Sequence, residues 1–250
     1  MLAQRRYEQI VEKLRADGPV EVAVLSRLLS VSEATVRRDL ARLEALGRLS
    51  RVRGGASLRS QAEAPFAQVA MGDITDKDAV AARAVELVDD GDVLLLDIGT
   101  TVHRLAKHLH GRNVTVMTSN LAVYEELATD SAVEIILLGG VVRRNYLSMV
   151  GFLTEQALRQ VHATTLFFGT SGIRADGTVL DTTVVEVPVK QAMLAAADQV
   201  VLLADPAKFP GSGLARVCGP EQVNVLVTRD GADPRALAAF ADAGSEVLIS

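Results

Sequence analysis

Two sets of residues in this 250-residue chain have types and spacing suited to chemistry. The first is cationic: Thr35, Arg38 and Arg42 recur at intervals of three and four, Arg37 lies one step round, and Arg51 and Arg53 come after them, two residues apart. On a helix the first three share a face, and on a strand the last two do. Guanidinium forks arranged in this way can bond paired acceptors on a base edge or grip phosphate oxygens, which lysine does less selectively. The second set is small and rich in hydroxyls. Asp97-Ile98-Gly99-Thr100-Thr101 comes after an apolar run and opens a helical one. Gly99 is expected to supply a close turn at positive φ, while Thr100 and Thr101 add hydroxyls to the free N–H groups of a helix start, a cradle for an anion. Endings of the same type recur at Thr118-Ser119-Asn120, Gly139-Gly140, Gly169-Thr170-Ser171-Gly172, and Asp205 with Lys208. Any βα turn needs a glycine and a cap, so one such ending carries little; several on one edge of a sheet describe a polar pocket.

The elements that must hold the cationic set are readable one by one. From Gln4 to Ala16 the residues Ile10, Val11 and Leu14 form a stripe, and Gly18-Pro19 is a C-terminal stop. Glu21 to Leu29 carries Leu25, Leu28 and Leu29 at helical spacing, then breaks at Ser30-Val31-Ser32, where Ser32 is placed to cap the next helix. Between Glu33 and Leu46, Val36, Leu40 and Leu43 share the face opposite Thr35, Arg38 and Arg42, and Gly47 closes the helix. RLSRVRGGA, residues 48–56, reads as a short basic hairpin. Three short helices and a basic hairpin make a winged helix-turn-helix, in which the recognition helix enters the major groove and the wing meets the backbone. A solvated amphipathic helix would explain the surface arginines, but not the turn, the cap, the segregated faces and the wing together.

Residues 58–74 show no sustained period and hold Pro65, so they read as a linker. Beyond them Lys77 to Val88 is helical, and the chain then alternates apolar strands (VLLLDIG, VTVMTSN, EIILLGG, TLFFGTSGI, VVLLAD, VNVLVTRD, EVLIS) with helices. Strands without polar alternation, separated by amphipathic helices, predict a parallel sheet covered on both faces. The fold class is α/β: a winged helix-turn-helix domain over 1–57, a linker over 58–74, and a larger α/β domain over 75–250.

The N-terminal residues resemble the signature of the DeoR/GlpR family of bacterial transcriptional regulators. Its turn serine is Ser32, its T-[IV]-R-R-D-L is Thr35 to Leu40, its L-E is Leu43-Glu44, its G-x-L-x-R is Gly47, Leu49 and Arg51, and its G-G-A is Gly54 to Ala56. Arg53 stands where the family commonly has histidine and keeps a donor. The likeness runs on, in order, through DITDKDAVAARAVELVDDGDVLLLDIGTTVHRLAKHL, VMTSN, LLGG, GTSGI, an E-x-x-x-K spacing and LADPAKF. It implies a sensor domain akin in fold to ribose-5-phosphate isomerase that binds a phosphorylated sugar or related metabolite. It assigns to that pocket Asp97, Gly99, Thr100, Thr101, Asn120, Gly139, Gly140, Glu186, Lys190, Asp205 and Lys208. DTTVVEVPVKQ departs from the common family form, with Pro188 setting a helix start.

Composition narrows the alternatives. Residues 1–56 hold 11 Lys and Arg against 7 Asp and Glu, net +4, whereas residues 57–250 hold 15 against 24, net −9. A positive end on a negative body suits a chain that approaches a polyanion with that end alone. No apolar run approaches the roughly 20 residues of a membrane span, and MLAQRRYEQIVEKL lacks the pattern of a signal peptide. With a single cysteine, Cys218, the expectation is a reducing, cytoplasmic setting. His103, His108 and His110 read as exposed helix histidines, so no metal and no cofactor are expected; neither phosphate-loop motif, G-x-x-x-x-G-K-[ST] or G-x-G-x-x-G, is present. Arg143-Arg144 either holds a phosphate or solvates a loop. A competing reading is a sugar-phosphate isomerase with Asp97 or Glu186 as base and Lys208 as electrophile, to which the positive domain would be superfluous. The expectation is a non-enzymatic regulator, a repressor of carbohydrate genes. Its partners are double-stranded operator DNA through Ser32, Thr35, Arg37, Arg38, Arg42, Arg51 and Arg53, a phosphorylated sugar, and other copies of itself in a dimer or tetramer.

Overall fold

The computed structural model describes residues 3–17, 20–45, 49–52, 55–57 and 64–250. Its contacts divide the chain into two units, Met1–Glu63 and Ala64–Ser250.

In the first unit α1 (Ala3–Asp17), α2 (Val22–Leu29) and α3 (Glu33–Ala45) close on one apolar core, with Ile10 and Leu14 from α1, Leu25 and Leu29 from α2, and Val36, Leu40 and Leu43 from α3. The predicted stripes are the faces that meet there. β1 (Val20–Glu21), β2 (Ser50–Val52) and β3 (Gly55–Ser57) form an antiparallel sheet in the order β1-β3-β2. β1 is not expected from the sequence, because two residues leave no period to read. A Cβ on Gly55 would overlap the Val20 carbonyl, so β3 can lie this close to β1 only with glycine there. Gly18-Pro19, Gly47, Arg53 and Gly54 lie outside the described residues, as does the side chain of Arg51.

The second unit begins inside the segment read as a linker. Residues 64–74 fold: α4 (Phe66–Ala70) leads directly to α5 (Ile74–Ala84), and Phe66 is buried. The Phe66 ring packs edge-on against His103 and Tyr146, with centroids 5.6 and 5.7 Å away, and its N–H donates to the Asn145 carbonyl at 2.9 Å. A five-residue helix docked by one aromatic has no periodicity to betray it.

The main sheet of this unit is built from β4 (Val93–Leu96), β5 (Val114–Thr118), β6 (Val133–Leu137), β9 (Ala163–Gly169), β12 (Ala197–Leu203), β14 (Val225–Thr228) and β15 (Glu246–Ile249). All seven run parallel in the order β15-β14-β12-β9-β4-β5-β6. The helices α6 (Thr100–Lys107), α7 (Leu121–Leu127), α8 (Phe152–Leu158), α9 (Val187–Leu194) and α10 (Pro234–Asp242) supply the crossovers. Leu94, Leu96 and Phe167 are buried in the cluster that holds Val80 of α5, Val102 of α6 and Val123 of α7. Leu95, Phe168 and Leu202 join Leu158 of α8, Met193 of α9 and Phe240 of α10 in the other. Apolar residues on both faces of each strand are what removed the alternation from its sequence.

Two small antiparallel sheets escape the sequence reading because their strands are two to four residues long. One pairs β7 (Val141–Arg143) with β8 (Ser148–Val150), and the other orders β10 (Gly172–Ile173), β11 (Val179–Asp181) and β13 (Ala215–Cys218). From β4 the chain winds outward to β6, then returns to place β9 on the other side of β4 and winds outward again to β15. The winding reverses between β4 and β9, and in open parallel sheets the crevice beyond such a reversal is where ligands bind.

Candidate functional site

The exposed cationic face belongs to α3. The chain enters it through a tight turn: Ser30 ends α2 at φ 52, the Val31 N–H donates to the Ser26 carbonyl at 3.2 Å, and the Ser26 hydroxyl donates back to the Val31 carbonyl at 2.6 Å. Ser32 then caps the helix, its hydroxyl accepting the Thr35 N–H at 3.2 Å and lying 3.0 Å from the Thr35 hydroxyl. Arg37, Arg38 and Arg42 are exposed, while Val36, Leu40 and Leu43 on the far side are buried. Arg37 pairs with Glu33 one turn back at 3.1 Å, and Arg38 donates to the Ala34 carbonyl at 3.4 Å. Beneath the helix, Asp39 is buried and takes a two-pronged bond from Arg6 of α1, at 2.7 and 3.0 Å. That pair holds the Arg6 guanidinium above its ordinary pKa, through the hydrogen bond first. The T-V-R-R-D-L run thus splits its three charges: two arginines face solvent, and the aspartate locks the helix to its neighbour.

The second candidate lies at the β4–β9 reversal. Asp97, the residue after β4, is fully buried, and its Oδ2 accepts the Gly169 N–H at 3.1 Å and the Lys190 ammonium at 2.7 Å. Lys190, on α9, also donates to the Gly169 carbonyl at 2.8 Å and lies 3.4 Å from Asp181 at the end of β11. Burial works against the Lys190 charge, but the carboxylates of Asp97 and Asp181 outweigh it and raise its pKa. The other carboxylate oxygen, Asp97 Oδ1, is buried and has no hydrogen-bond partner among the described residues. Beside it α6 begins. The Thr100 and Thr101 side chains are mostly buried at its first turn, where backbone N–H groups have no intrahelical acceptor, and among the described residues neither hydroxyl has a partner. Gly99 has φ −69, not the positive φ expected from the sequence, and a Cβ there would meet the Gly169 Cα at 3.5 Å, an ordinary contact, so neither the backbone nor crowding requires glycine at this position.

Other residues named from the sequence have structural employment nearby. Asn120 caps α7, its Oδ1 accepting the Ala122 and Val123 N–H groups at 2.9 and 3.4 Å, and its Nδ2 braces the Asp97 carbonyl at 3.3 Å. A Cβ on Gly140 would overlap the Thr154 hydroxyl, so that glycine answers to packing, whereas Gly139 is open. Glu186 and Lys190 are one helical turn apart in sequence but turn to different partners: Glu186 is buried, pairs with Arg143 and accepts from the Ser148 hydroxyl at 3.2 Å. Arg143 is therefore engaged in an ion pair and stacks 5.9 Å from the Tyr146 ring centre, while Arg144 is exposed. Asp205 ends the β12 segment fully buried; its Oδ1 accepts the Ala207 N–H at 3.0 Å and its Oδ2 has no partner among the described residues. Burial pushes the Asp205 carboxyl up, against the pull of Lys208 and Lys77. Lys77 is buried with its ammonium on the Val69 and Gly72 carbonyls at 2.6 and 2.7 Å, and burial lowers its pKa.

Sequence reasoning missed Asp181, Lys77 and the Arg143–Glu186 pair. Each depends on partners from distant segments, and no local spacing announces a buried lysine. Of the three histidines read as exposed helix residues, His108 and His110 are exposed but lie past the end of α6, and His103 on α6 is partly buried 3.3 Å from Glu126; His110 lies 2.9 Å from Asp130 and 3.3 Å from Glu126. A surface hollow between α8 and α9, edged by Glu155, Arg159 and Pro188, shares no residue with the Asp97 network.

Residues 6–62 match the family described as the DeoR-like helix-turn-helix domain, and residues 73–230 match the DeoR C terminal sensor domain. The chain is 31% identical to an uncharacterized HTH-type transcriptional regulator, YulB, of Bacillus subtilis (strain 168), over 97% of this chain and 95% of that protein. It is 32% identical to a putative aga operon transcriptional repressor of Escherichia coli O157:H7, over 98% and 93%. A lactose phosphotransferase system repressor of Staphylococcus epidermidis is 30% identical over 89% and 90%. Among solved structures, ribose 5 phosphate isomerase A from Neisseria gonorrhoeae superposes on 53% of this chain and 52% of its own, with a TM-score of 0.39 and 16% identity.

Proposed function

The chain belongs to the DeoR family of DNA-binding transcriptional regulators, and from that premise we propose that it is a repressor of carbohydrate genes, released from its operator when a phosphorylated sugar enters the crevice at the β4–β9 reversal. The observation that carries the effector half is the pairing of opposites at that crevice. The start of α6, with the unused hydroxyls of Thr100 and Thr101, suits a phosphate, and the free Oδ1 of Asp97 suits a sugar hydroxyl. Gly99 and Gly169 keep the approach bare, and Lys208, half-buried at the next strand end, adds a cation. Relatives named for the aga operon and for a lactose phosphotransferase system support a carbohydrate link.

On the DNA side, Thr35, Arg38 and Arg42 would read base edges, Ser32 and Arg37 would flank them at the phosphates, and Arg51 and Arg53 would hold the backbone from the wing. The isomerase alternative loses support from the same geometry. Asp97 and Glu186, the bases it would use, are each engaged in an ion pair, with Lys190 and Arg143. No helix among the described residues is long and apolar enough to cross a membrane.

Thermal unfolding of the full chain against pentose and hexose phosphates, each beside its unphosphorylated sugar, tests the reading. A ligand at 100 times its Kd should add about 2.7 kcal/mol of stability. Stabilisation that requires the phosphate supports the cradle; equal stabilisation by the bare sugars would overturn it.

A further inference from the structure

The short helix α4, through which the chain enters the second unit, is held by contacts that all reach back to the crevice. At its start the Phe66 ring meets His103, one turn into α6 from Thr100, and Tyr146 of the turn between β7 and β8, whose neighbour Asn145 takes the Phe66 N–H. At its end Arg104 of α6 donates to the Ala70 carbonyl at 3.3 Å while paired with Asp78 of α5 at 2.9 Å, and the buried Lys77 ammonium bonds the Val69 and Gly72 carbonyls. Lys77 and Asp73 stand close enough to Asp205 for their charges to act on its carboxyl in opposite directions. The β7–β8 turn is tied back as well. Arg143 pairs with Glu186, the Ser148 hydroxyl donates to the same carboxylate at 3.2 Å, and Ser148 bridges to Asn120, which braces Asp97. In that turn Leu147 sits at φ 54, a left-handed backbone that leucine adopts only when its surroundings impose it, and such residues gather at switch segments.

We propose that α4 is a strap whose docking is controlled by occupancy of the crevice. A helix of 5 residues has no stability of its own, so it exists docked or not at all, and its contacts decide which. Undocking takes Phe66 from His103 and Asn145, takes an acceptor from Arg104 and two from Lys77, and so loosens the start of α6 and the β7–β8 turn together. A ligand that needs the start of α6 in place binds the docked state better, and by linkage it holds α4 down. The consequence is a change in connection length. With α4 docked, residues 58–65 join β3 to the sheet unit; with α4 undone the connection runs on through Asp73, and the added residues extend it by up to roughly 25 Å. Connection length governs how a tethered module meets its partner, so docking alters operator binding without touching α3. The inference rests on the regulator reading in one respect: a phosphorylated ligand is taken to occupy the crevice at the start of α6.

Hydrogen exchange of the full chain, followed by mass spectrometry in millimolar inorganic phosphate and in chloride of the same ionic strength, provides the test. Phosphate should slow the amides of residues 100–103, at the start of α6, and with them those of residues 66–72, the latter about three-fold or more. Phe66→Ala should keep the first response and lose the second. Arg104→Met, which leaves the aromatic contact in place, should halve the second. Thermal unfolding establishes that each variant is folded, and Arg104→Met carries the test if Phe66→Ala does not fold. A wild type in which residues 100–103 slow while 66–72 do not, or folded variants that respond as wild type does, would overturn the strap and leave the phosphate cradle standing. Slowing at neither segment would remove the cradle, and the strap with it.

Discussion

The two units deploy their charges in opposite ways. In the first, Arg37, Arg38 and Arg42 stand in solvent, and the Arg6–Asp39 pair is tucked beneath them. In the second, Asp97, Asp181, Glu186 and Lys190 are all buried, each engaged with an opposite charge, and what remains for a ligand is a few groups such as the free Asp97 oxygen, the two threonine hydroxyls and half-buried Lys208. The contrast arises from the partner. A polyanion approaches from outside and rewards charges that are already exposed. A small ligand must be recognised by groups held in place before it arrives, which calls for a rigid, paired network around a few free atoms.

If that contrast is right, the largest effect belongs to the buried network. Lys190→Met leaves Asp97 and Asp181 facing each other without their cation, and breaking a buried pair from one side costs about 3–5 kcal/mol. Urea unfolding of the second unit should show it; a loss below about 1 kcal/mol would mean the network does not hold the crevice. Next comes the ligand itself. Thr100→Val with Thr101→Val should leave stability within about 1 kcal/mol, because neither hydroxyl has a partner to lose. Each charge-assisted bond to the phosphate is worth about 1.5–3 kcal/mol, so calorimetric affinity for the sugar phosphate should fall ten-fold or more.

On the exposed face, Arg38→Ala should cost roughly 1–3 kcal/mol in operator binding and relax sequence preference, while leaving the unfolding curve in place. Gel-shift titration with operator and scrambled DNA separates the two effects. Equal losses on both sequences would make Arg38 a phosphate contact. Smaller still is Arg37→Ala, whose exposed i, i+4 pair with Glu33 contributes under about 0.5 kcal/mol to folding.

The smallest effect is a pH dependence at His110. Its hydrogen bonds to Asp130 and then Glu126 raise its pKa above the ordinary histidine value. A raised folded-state pKa gives stability that is fully present below the unfolded value near 6.5 and is lost as pH rises through the folded value. Comparing wild type with His110→Gln across that window should show the difference in Tm shrinking as pH rises. A difference that grows would contradict the pairing.

The same contrast explains what is legible in the chain alone. The face bearing Thr35, Arg38 and Arg42 is legible because a helix face opposite its core is written in the sequence at fixed spacing, and Ser32 announces its cap. The strand ends that line the crevice are legible too, since glycine, threonine and aspartate after an apolar run mark a βα turn. Their roles are not. Asn120 and Gly140 look like ligand contacts and serve a helix cap and a close packing; Gly99 looks like a positive-φ turn and sits at φ −69. Asp181 and Lys190 meet across nine residues of sequence only because β11 and α9 fold onto the same strand end, and Lys77 reaches back to α4 and the turn after it. Contacts of this kind depend on tertiary placement, which leaves no period and no spacing in the chain.

The central claim is that the two units form one switch, in which occupancy of the Asp97 crevice alters the grip of α3 on DNA. The direct measurement is operator affinity with and without the sugar phosphate that most stabilises the protein, at fixed salt, together with affinity for that sugar phosphate with and without operator. Coupling free energies of about 1–3 kcal/mol correspond to changes of about 5- to 150-fold, and linkage requires the same factor in both directions. A matched fall in both affinities is the expected result. Operator affinity that stays constant at saturating sugar phosphate would contradict the account.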